Sequence, residues 1–293
     1  MDPVPHALEN RLREHVHVLA GLIGERNSNR LSSLEATRSY ITRQIEEMGL
    51  TAETQPYPMR VRPAANIEVF LPGTKPTRLC LVIGAHYDSA PGTPGADDNA
   101  SAVASLIEII RFLNGKPLRR SIRCVFYDCE EPPHFATPTM GSNHHAKMLH
   151  DRNEKILGMI CLESIGYFPA KVDPDVERPW FIRWIDNIIG GRHLIMVSNF
   201  RSIPFGLPFF LRFKTSGFFR CIPAALPGNK GIHALSDNRC YWAHGHRALM
   251  LTNTAMFRNP NYHLRSDLPP TLDYGRMAKL VPIIARAVKR TCT

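Results

Sequence analysis

IRCVFYDCEE, residues 122–131, joins an apolar run to a pair of adjacent acids. A short apolar stretch of this length reads as a strand buried on both faces of a sheet. Two other segments end in the same way. Residues 79–85 lead into His86-Tyr87-Asp88, and residues 156–162 lead into Glu163. Three strand-like runs therefore each end in residues that can bind a cation or move a proton. In open α/β sheets, ligands bind at the carboxyl ends of the strands.

The segments between these runs have helical character. Residues 6–24 carry apolar positions at helical spacing. Ser32-Ser33-Leu34-Glu35 resembles a capping box that opens a helix reaching Met48, with Gly49 as its stop. Residues 51–62 read as extended, 66–70 as a short strand and 72–76 as a turn. After the Gly/Pro-rich loop 89–95, the residues Ala100, Val103, Ala104, Ile107, Ile110 and Leu113 form one buried helix face. Further helices are expected over 141–150, 179–189 and 275–290, and further strands over 193–198 and 248–252. Residues 204–213 are apolar and broken by proline. The alternating order predicts an α/β fold, a three-layer α/β/α sandwich around a mixed, mostly parallel sheet. No disordered linker divides the chain, so a single domain over residues 1–293 is expected.

A chain of 293 residues that is 44% hydrophobic has ample material for a full core. Its net charge is +10, but the arginines and lysines read as dispersed. There is no zinc-finger spacing, RNP signature or basic heptad region, so nucleic acid is not an expected partner. The N-terminus does not read as a signal peptide, and no segment approaches the roughly 20 apolar residues of a membrane span. A soluble, cytoplasmic protein with no membrane partner is expected. The seven cysteines are odd in number and form no C-x-x-C pair. Cys80, Cys124 and Cys161 sit inside apolar runs and read as buried free thiols, and Cys129 reads as a small wall residue beside Glu130. Oligomeric state has no signature in the sequence.

The chemistry follows from residue type and position. His86 and Asp88 lie two apart at a strand end, so they share a face, and Asp88 can accept the proton of one imidazole nitrogen while the other faces a metal. Asp98 follows His86 by 12 residues, where a loop enters a helix over the same sheet edge. Of the neighbours Glu130 and Glu131, one can bind metal while the other handles protons. Glu163 ends its strand, and His263 and Asp267 lie in the loop after the last strand. Nitrogen and oxygen donors without cysteine suit a catalytic zinc site with open positions. The number of ligands suggests two ions sharing one carboxylate.

These segments resemble the cocatalytic two-zinc exopeptidases of peptidase family M twenty-eight, which include leucyl aminopeptidases, glutamate carboxypeptidase II and the glutaminyl cyclases. The resemblance rests on GAHYDS (84–89), PGADDNAS (94–101), YDCEE (127–131), GS (141–142), CLESIGY (161–167) and NYHLRSD (261–267), in the family's order. The N-terminal segment with Arg30 and Glu35 is similar as well. The resemblance implies that Asp98 bridges two zinc ions, with a cis peptide bond after it. It implies that His86 and Glu163 bind one zinc and that Glu131 and His263 bind the other. Glu130 is then the general base, Asp88 orients His86, and Asp267 supports the loop bearing His263. The implied activity is aminopeptidase action on peptides with a free N-terminus. The alternatives are glutaminyl cyclisation or a binding relative without activity. Several positions depart from the pattern. Glu163 stands where Asp is common, Ala102 where Gly is common, Asn238 and Arg247 where His and Pro are usual, and Glu131 is followed by Pro132-Pro133-His134-Phe135 instead of a shorter turn.

Overall fold

The computed structural model describes residues 3–59, 64–75 and 79–293. The chain opens with α1 (Pro3–Val16), prolonged by a wider turn over His17–Ile23, and α2 (Leu31–Glu46). Gly49 then leaves in the left-handed region at φ 73°, as expected of a helix stop. The expected capping box is not formed. The helix starts at Leu31 and Arg30 occupies the cap position, without a side-chain cap bond. Ser32 and Ser33 already lie inside the first turn, past the position from which a capping hydroxyl reaches the first amides.

β1 (Glu53–Tyr57), β2 (Ala64–Leu71) and β3 (Cys80–His86) follow. The expected extended run to 62 and turn to 76 lie partly outside the described residues. Next come α3 (Ala102–Leu113), β4 (Ile122–Tyr127), α4 (Gly141–Asp151), β5 (Ile156–Glu163) and α5 (Trp180–Ile189). The chain continues through β6 (Leu194–Asn199), α6 (Ile203–Lys214), β7 (Cys221–Leu226), α7 (Asn238–Ala243), β8 (Ala248–Thr252) and α8 (Tyr274–Cys292).

The described strands form one eight-stranded sheet in the order β1-β2-β4-β3-β5-β8-β6-β7. The central block β4-β3-β5-β8 is parallel, β6 runs antiparallel to β8, and β7 is parallel to β6. β1 and β2 are antiparallel additions at the other side. Because β3 and β8 are buried at every position, helices must cover both faces. On one face α3 packs on β3, β4 and β5, beneath α1 and α8. On the other, α4 and α7 cover a smaller core of Val82, Val125, Met159 and Tyr241. The expected mixed, mostly parallel three-layer fold is what forms.

Two segments differ from expectation. Residues 203–214 are helical despite Pro204 and Pro208. Pro204 lies in the first turn, where its missing N–H costs nothing. Pro208 loses one helix bond, but Phe205, Phe209 and Phe213 at i, i+4 and i+8 bury a continuous stripe. β7 and α7 carry no clear period. β7 is a half-buried edge strand containing Pro223, a residue tolerated at edges. No helix among the described residues is long and apolar enough to cross a membrane.

Close packing beside the parallel block gives a stability test. A Cβ at Gly84 would lie 2.8 Å from Cζ of Tyr127. Tyr127 is pinned by its hydroxyl bond to Tyr241, 2.7 Å away, in a buried chain that continues to His145 and Glu68. Gly84→Ala should cost about 1–3 kcal/mol through overpacking. Thermal denaturation checks this, and an unchanged melting temperature contradicts the packing.

Candidate metal centre

The parallel block sets four strand ends side by side. His86 pairs with Tyr127 across β3 and β4, and Glu163 pairs with Thr252 across β5 and β8. The residues at and just beyond these ends therefore converge on one sheet edge. His86, Asp88, Asp98, Glu130, Glu131 and Glu163 are all buried, and His263 is partly so.

Asp98 lies between the two imidazoles. Its Oδ1 is 3.2 Å from Nε2 of His86, and its Oδ2 is 3.2 Å from Nε2 of His263. His86 Nε2 is also 3.2 Å from Glu163 Oε2, and His263 Nε2 is 3.2 Å from Glu131 Oε2. Glu130 stands further back, with Oε2 3.9 Å from His86 Nε2. All seven predicted positions are thus brought together. The peptide bond between Asp98 and Asn99 is cis.

Each of these side chains is held by neighbours. His86 Nδ1 is 3.2 Å from the Asp88 carbonyl and 3.4 Å from its carboxylate, which leaves Nε2 facing the cluster. The Asp88 carboxylate also accepts the backbone N–H groups of Glu130 (3.1 Å) and Glu131 (3.0 Å). One residue therefore orients the imidazole and the acidic pair together. Glu163 accepts hydroxyl bonds from Ser164 and Ser236, each 2.7 Å long. Tyr262 stacks on the His263 ring at 3.9 Å. Cys129, Ser164 and His263 adopt left-handed backbone conformations, at φ 60°, 46° and 58°. Such strain gathers at functional sites and persists only where the surroundings hold it.

Several supporting residues carry no sequence signal of their own. Asp97 reads as a helix cap, but its carboxylate accepts the N–H groups of Gly166 and Tyr167 and the side-chain amides of Asn253 and Asn259. It ties the loop after β5 to the loop after β8. Asp267 accepts the N–H of Asp97 (2.9 Å) and of Asp98 (3.2 Å). Its contact is with the segment bearing Asp98, not only with its own loop. Arg26 is buried and donates to the carbonyls of Leu19, Gly24, Tyr87, Pro94 and Gly95. Asp237 is buried and neither of its oxygens has a hydrogen-bond partner among the described residues.

The electrostatics follow from this crowding. Burial pushes the Glu130 carboxyl well above its usual range; the His86 charge opposes the shift, and the charges of Glu131, Asp237 and Glu163 reinforce it. Glu131 is pushed up to about 8, by burial and then by Asp98. Asp98 is also buried, but the imidazoles of His263 and His86, each 3.2 Å from one of its oxygens, together outweigh that and hold it below the usual range. A dry cluster so rich in carboxylates is short of positive charge.

A divalent metal fits that deficit. His86, Asp98 and Glu163 bring ligand atoms within 4.8 Å of one another, and so do Asp98, Glu131 and His263. Asp98 Oδ1, Glu131 Oε1 and His263 Nε2 are buried without a hydrogen-bond partner among the described residues. Ligands about 2.1 Å from a tetrahedral ion stand about 3.4 Å apart, close to the spacings seen.

Beside Glu163 lies an apolar cavity of about 110 Å³, lined by Phe181, Ile185, Val197, Ala224, Met250 and Tyr262 among others. It lies between α5 and the strands β6, β7 and β8.

A profile described as Peptidase family M28 matches residues 66–180. The uncharacterized protein YfbL of Escherichia coli is 32% identical over 290 residues, covering 94% of this chain and 86% of that protein. Among solved structures, BSAP, a zinc aminopeptidase from Bacillus subtilis, superposes with TM-score 0.75 at 13% identity, over 97% of this chain and 95% of its own. The glutaminyl cyclase of Fimbriiglobus ruber gives TM-score 0.68 at 16% identity, over 96% and 94% of the two chains.

The buried acids set a pH dependence for the metal-free chain. Glu131 and Asp267 titrate near 8 when folded and Asp237 near 7, against ordinary values of 4.5, 3.8 and 3.8. A raised carboxyl pKa means that the folded state binds more protons, so its contribution is full below about pH 4 and is lost as pH rises through 7 to 8. Chelator-treated protein should melt on the order of 5 °C or more lower at pH 8.5 than at pH 6. Equal melting temperatures would contradict this account of the cluster.

Proposed function

This chain belongs to peptidase family M28 and is a metal-dependent peptidase, and we propose that it is a zinc aminopeptidase that removes apolar residues from peptide N-termini. The observation that carries this reading is the meeting, at Glu163, of the imidazole–carboxylate cluster with the apolar cavity. A cluster alone would support many hydrolases, but an apolar recess beside it supports recognition of one side chain at a chain end.

His86 and Glu163 would hold one zinc ion, Glu131 and His263 a second, and Asp98 both. Zinc bound there would supply Lewis acidity, acidifying water and polarising the scissile carbonyl. Glu130, next to the ligand Glu131 but turned to its own position, takes the proton of the attacking water and delivers it to the leaving amine. Asp88 acts through others: it keeps His86 in one orientation and fixes the amides of both glutamates. The acidic wall attracts the free α-ammonium group of the substrate. The shared sheet supports one catalytic domain over residues 1–293, and seven cysteines with no disulfide between them support a reducing, cytoplasmic setting.

Glu130→Gln should lower leucyl-p-nitroanilide hydrolysis by roughly 10²–10⁴-fold while bound zinc, measured by plasma emission, stays at the wild-type level. Unchanged turnover removes the base assignment. Cyclisation of N-terminal glutamine without any hydrolysis would replace the aminopeptidase reading with the cyclase one. A second variant tests the cavity. Ala224→Trp should fill it and cut kcat/KM for leucyl substrates by about tenfold or more relative to alanyl substrates. An unaltered leucyl-to-alanyl ratio would mean that the cavity does not receive the N-terminal side chain.

A further inference from the structure

The cations that read as dispersed in the sequence are gathered by the fold. Residues 187–236 contain six lysines and arginines and no acidic residue, and residues 274–293 contain five and none. These eleven of the 36 cations account for the net charge of +10, because the remaining 25 are matched by 26 acids. The first segment includes α6 and the second is α8, and the two helices pack against each other. Arg286 of α8 donates to the carbonyl of Ser216, and Arg290 to the hydroxyl of Thr215, just past the end of α6. Arg212 in turn donates to the carbonyl of Arg290. Lys214, Arg220, Arg286 and Arg290 are all exposed in this sector.

The same sector shows apolar side chains to solvent. Phe200, Ile203, Leu207 and Leu211 fall at helical spacing along α6 and its entry turn, and all are exposed. Phe218, in the turn between α6 and β7, is 92% exposed. The opposite stripe of α6, Phe205, Phe209 and Phe213, is in the core. α6 is therefore apolar on both faces, and its outer stripe is bordered by cations.

We propose that the outer face of α6, with the adjoining cations of α8, seats on the surface of an anionic lipid bilayer. A helix lying in the bilayer interface buries an apolar stripe among the acyl chains while lysines and arginines meet anionic headgroups. Each alternative partner fits less well. A second copy would bring two strongly cationic, acid-free faces together. A nucleic acid would satisfy the charge but leave Phe218 and the α6 leucines without apolar cover. This departs from the expectation of no membrane partner, which followed from the absence of a spanning segment. β6 is antiparallel to β8, with Ile195 opposite Thr252, so the turn from α6 into β7 returns to the sheet end that carries the candidate metal centre. Seating this face would hold the cluster near the lipid.

The test is flotation of the full chain with vesicles of phosphatidylcholine alone and with roughly 30% phosphatidylglycerol. Binding is expected only to the anionic vesicles and should weaken as salt rises. Leu207→Ser/Leu211→Ser leaves the charge unchanged and should weaken binding by about tenfold. Lys214→Glu/Arg286→Glu should weaken it at least as much, whereas Lys147→Glu/Arg152→Glu, an equal charge change in and just after α4 on the other face of the sheet, should have less than about a twofold effect. Circular dichroism checks that each variant is folded. Three results would each overturn the proposal: no binding to anionic vesicles; equal loss in the α4-side variant; or self-association or duplex DNA binding that is stronger than vesicle binding and is lost in Lys214→Glu/Arg286→Glu.

Discussion

One buried carboxylate, Asp98, faces two imidazoles at once, and much of the surrounding structure serves to keep it there. Its two oxygens point to His86 on one side and His263 on the other, each at 3.2 Å. Those histidines are 177 positions apart in the chain. The Asp267 carboxylate grips the backbone of Asp97 and Asp98, and the side chain of Asp97 reaches on to the loops after β5 and β8. Moving Asp98 would therefore break contacts in three loops together. This is how a site assembled from loops acquires the fixed geometry that catalysis needs.

Burying so many acids is costly unless their charge is answered. The protein supplies only part of that answer. Two histidines and the buried Arg26 are near, but Arg26 spends its donors on backbone carbonyls. Burial lowers its pKa to about 10, and the charges of Asp88 and Asp267 oppose that shift. The remaining negative charge is borne as raised carboxyl pKa values, as at Glu131, or as buried oxygens without a hydrogen-bond partner among the described residues, as at Asp237. A site built for cations shows this pattern, and a core stabilised by ordinary ion pairs would not leave so many lone pairs unused.

The parallel block and its cluster were legible in the sequence because one physical rule generates both. Strands buried on two faces read as unbroken apolar runs, and their chemistry sits where each run stops. His86, Glu130, Glu131 and Glu163 could all be found in that way. Asp97 could not, because an acid before a helix has an ordinary reading as a cap, and its four bonds are to residues 69 to 162 positions away. The left-handed backbone at Cys129, Ser164 and His263 was equally hidden, since none of these residues is a glycine. α6 was misread because its prolines outweighed a phenylalanine stripe that tertiary packing rewards. Charge was misread for a related reason: a linear chain shows spacing between cations, not which helices will lie side by side.

The state of Glu130 links the chemistry to the burial. A general base works best when its pKa is near the ambient pH. In the metal-free cluster, burial drives Glu130 well above the ordinary carboxyl range, so it holds its proton and cannot accept another. Positive charge placed beside Glu131 and Glu163 lowers it again, because those neighbours then stop repelling its ionised form. The burial of these side chains strengthens each of these charge interactions. Ligand charge, dryness and base strength therefore cannot be tuned separately in this site. A change that opens the cluster to water also alters how tightly Glu130 holds its proton.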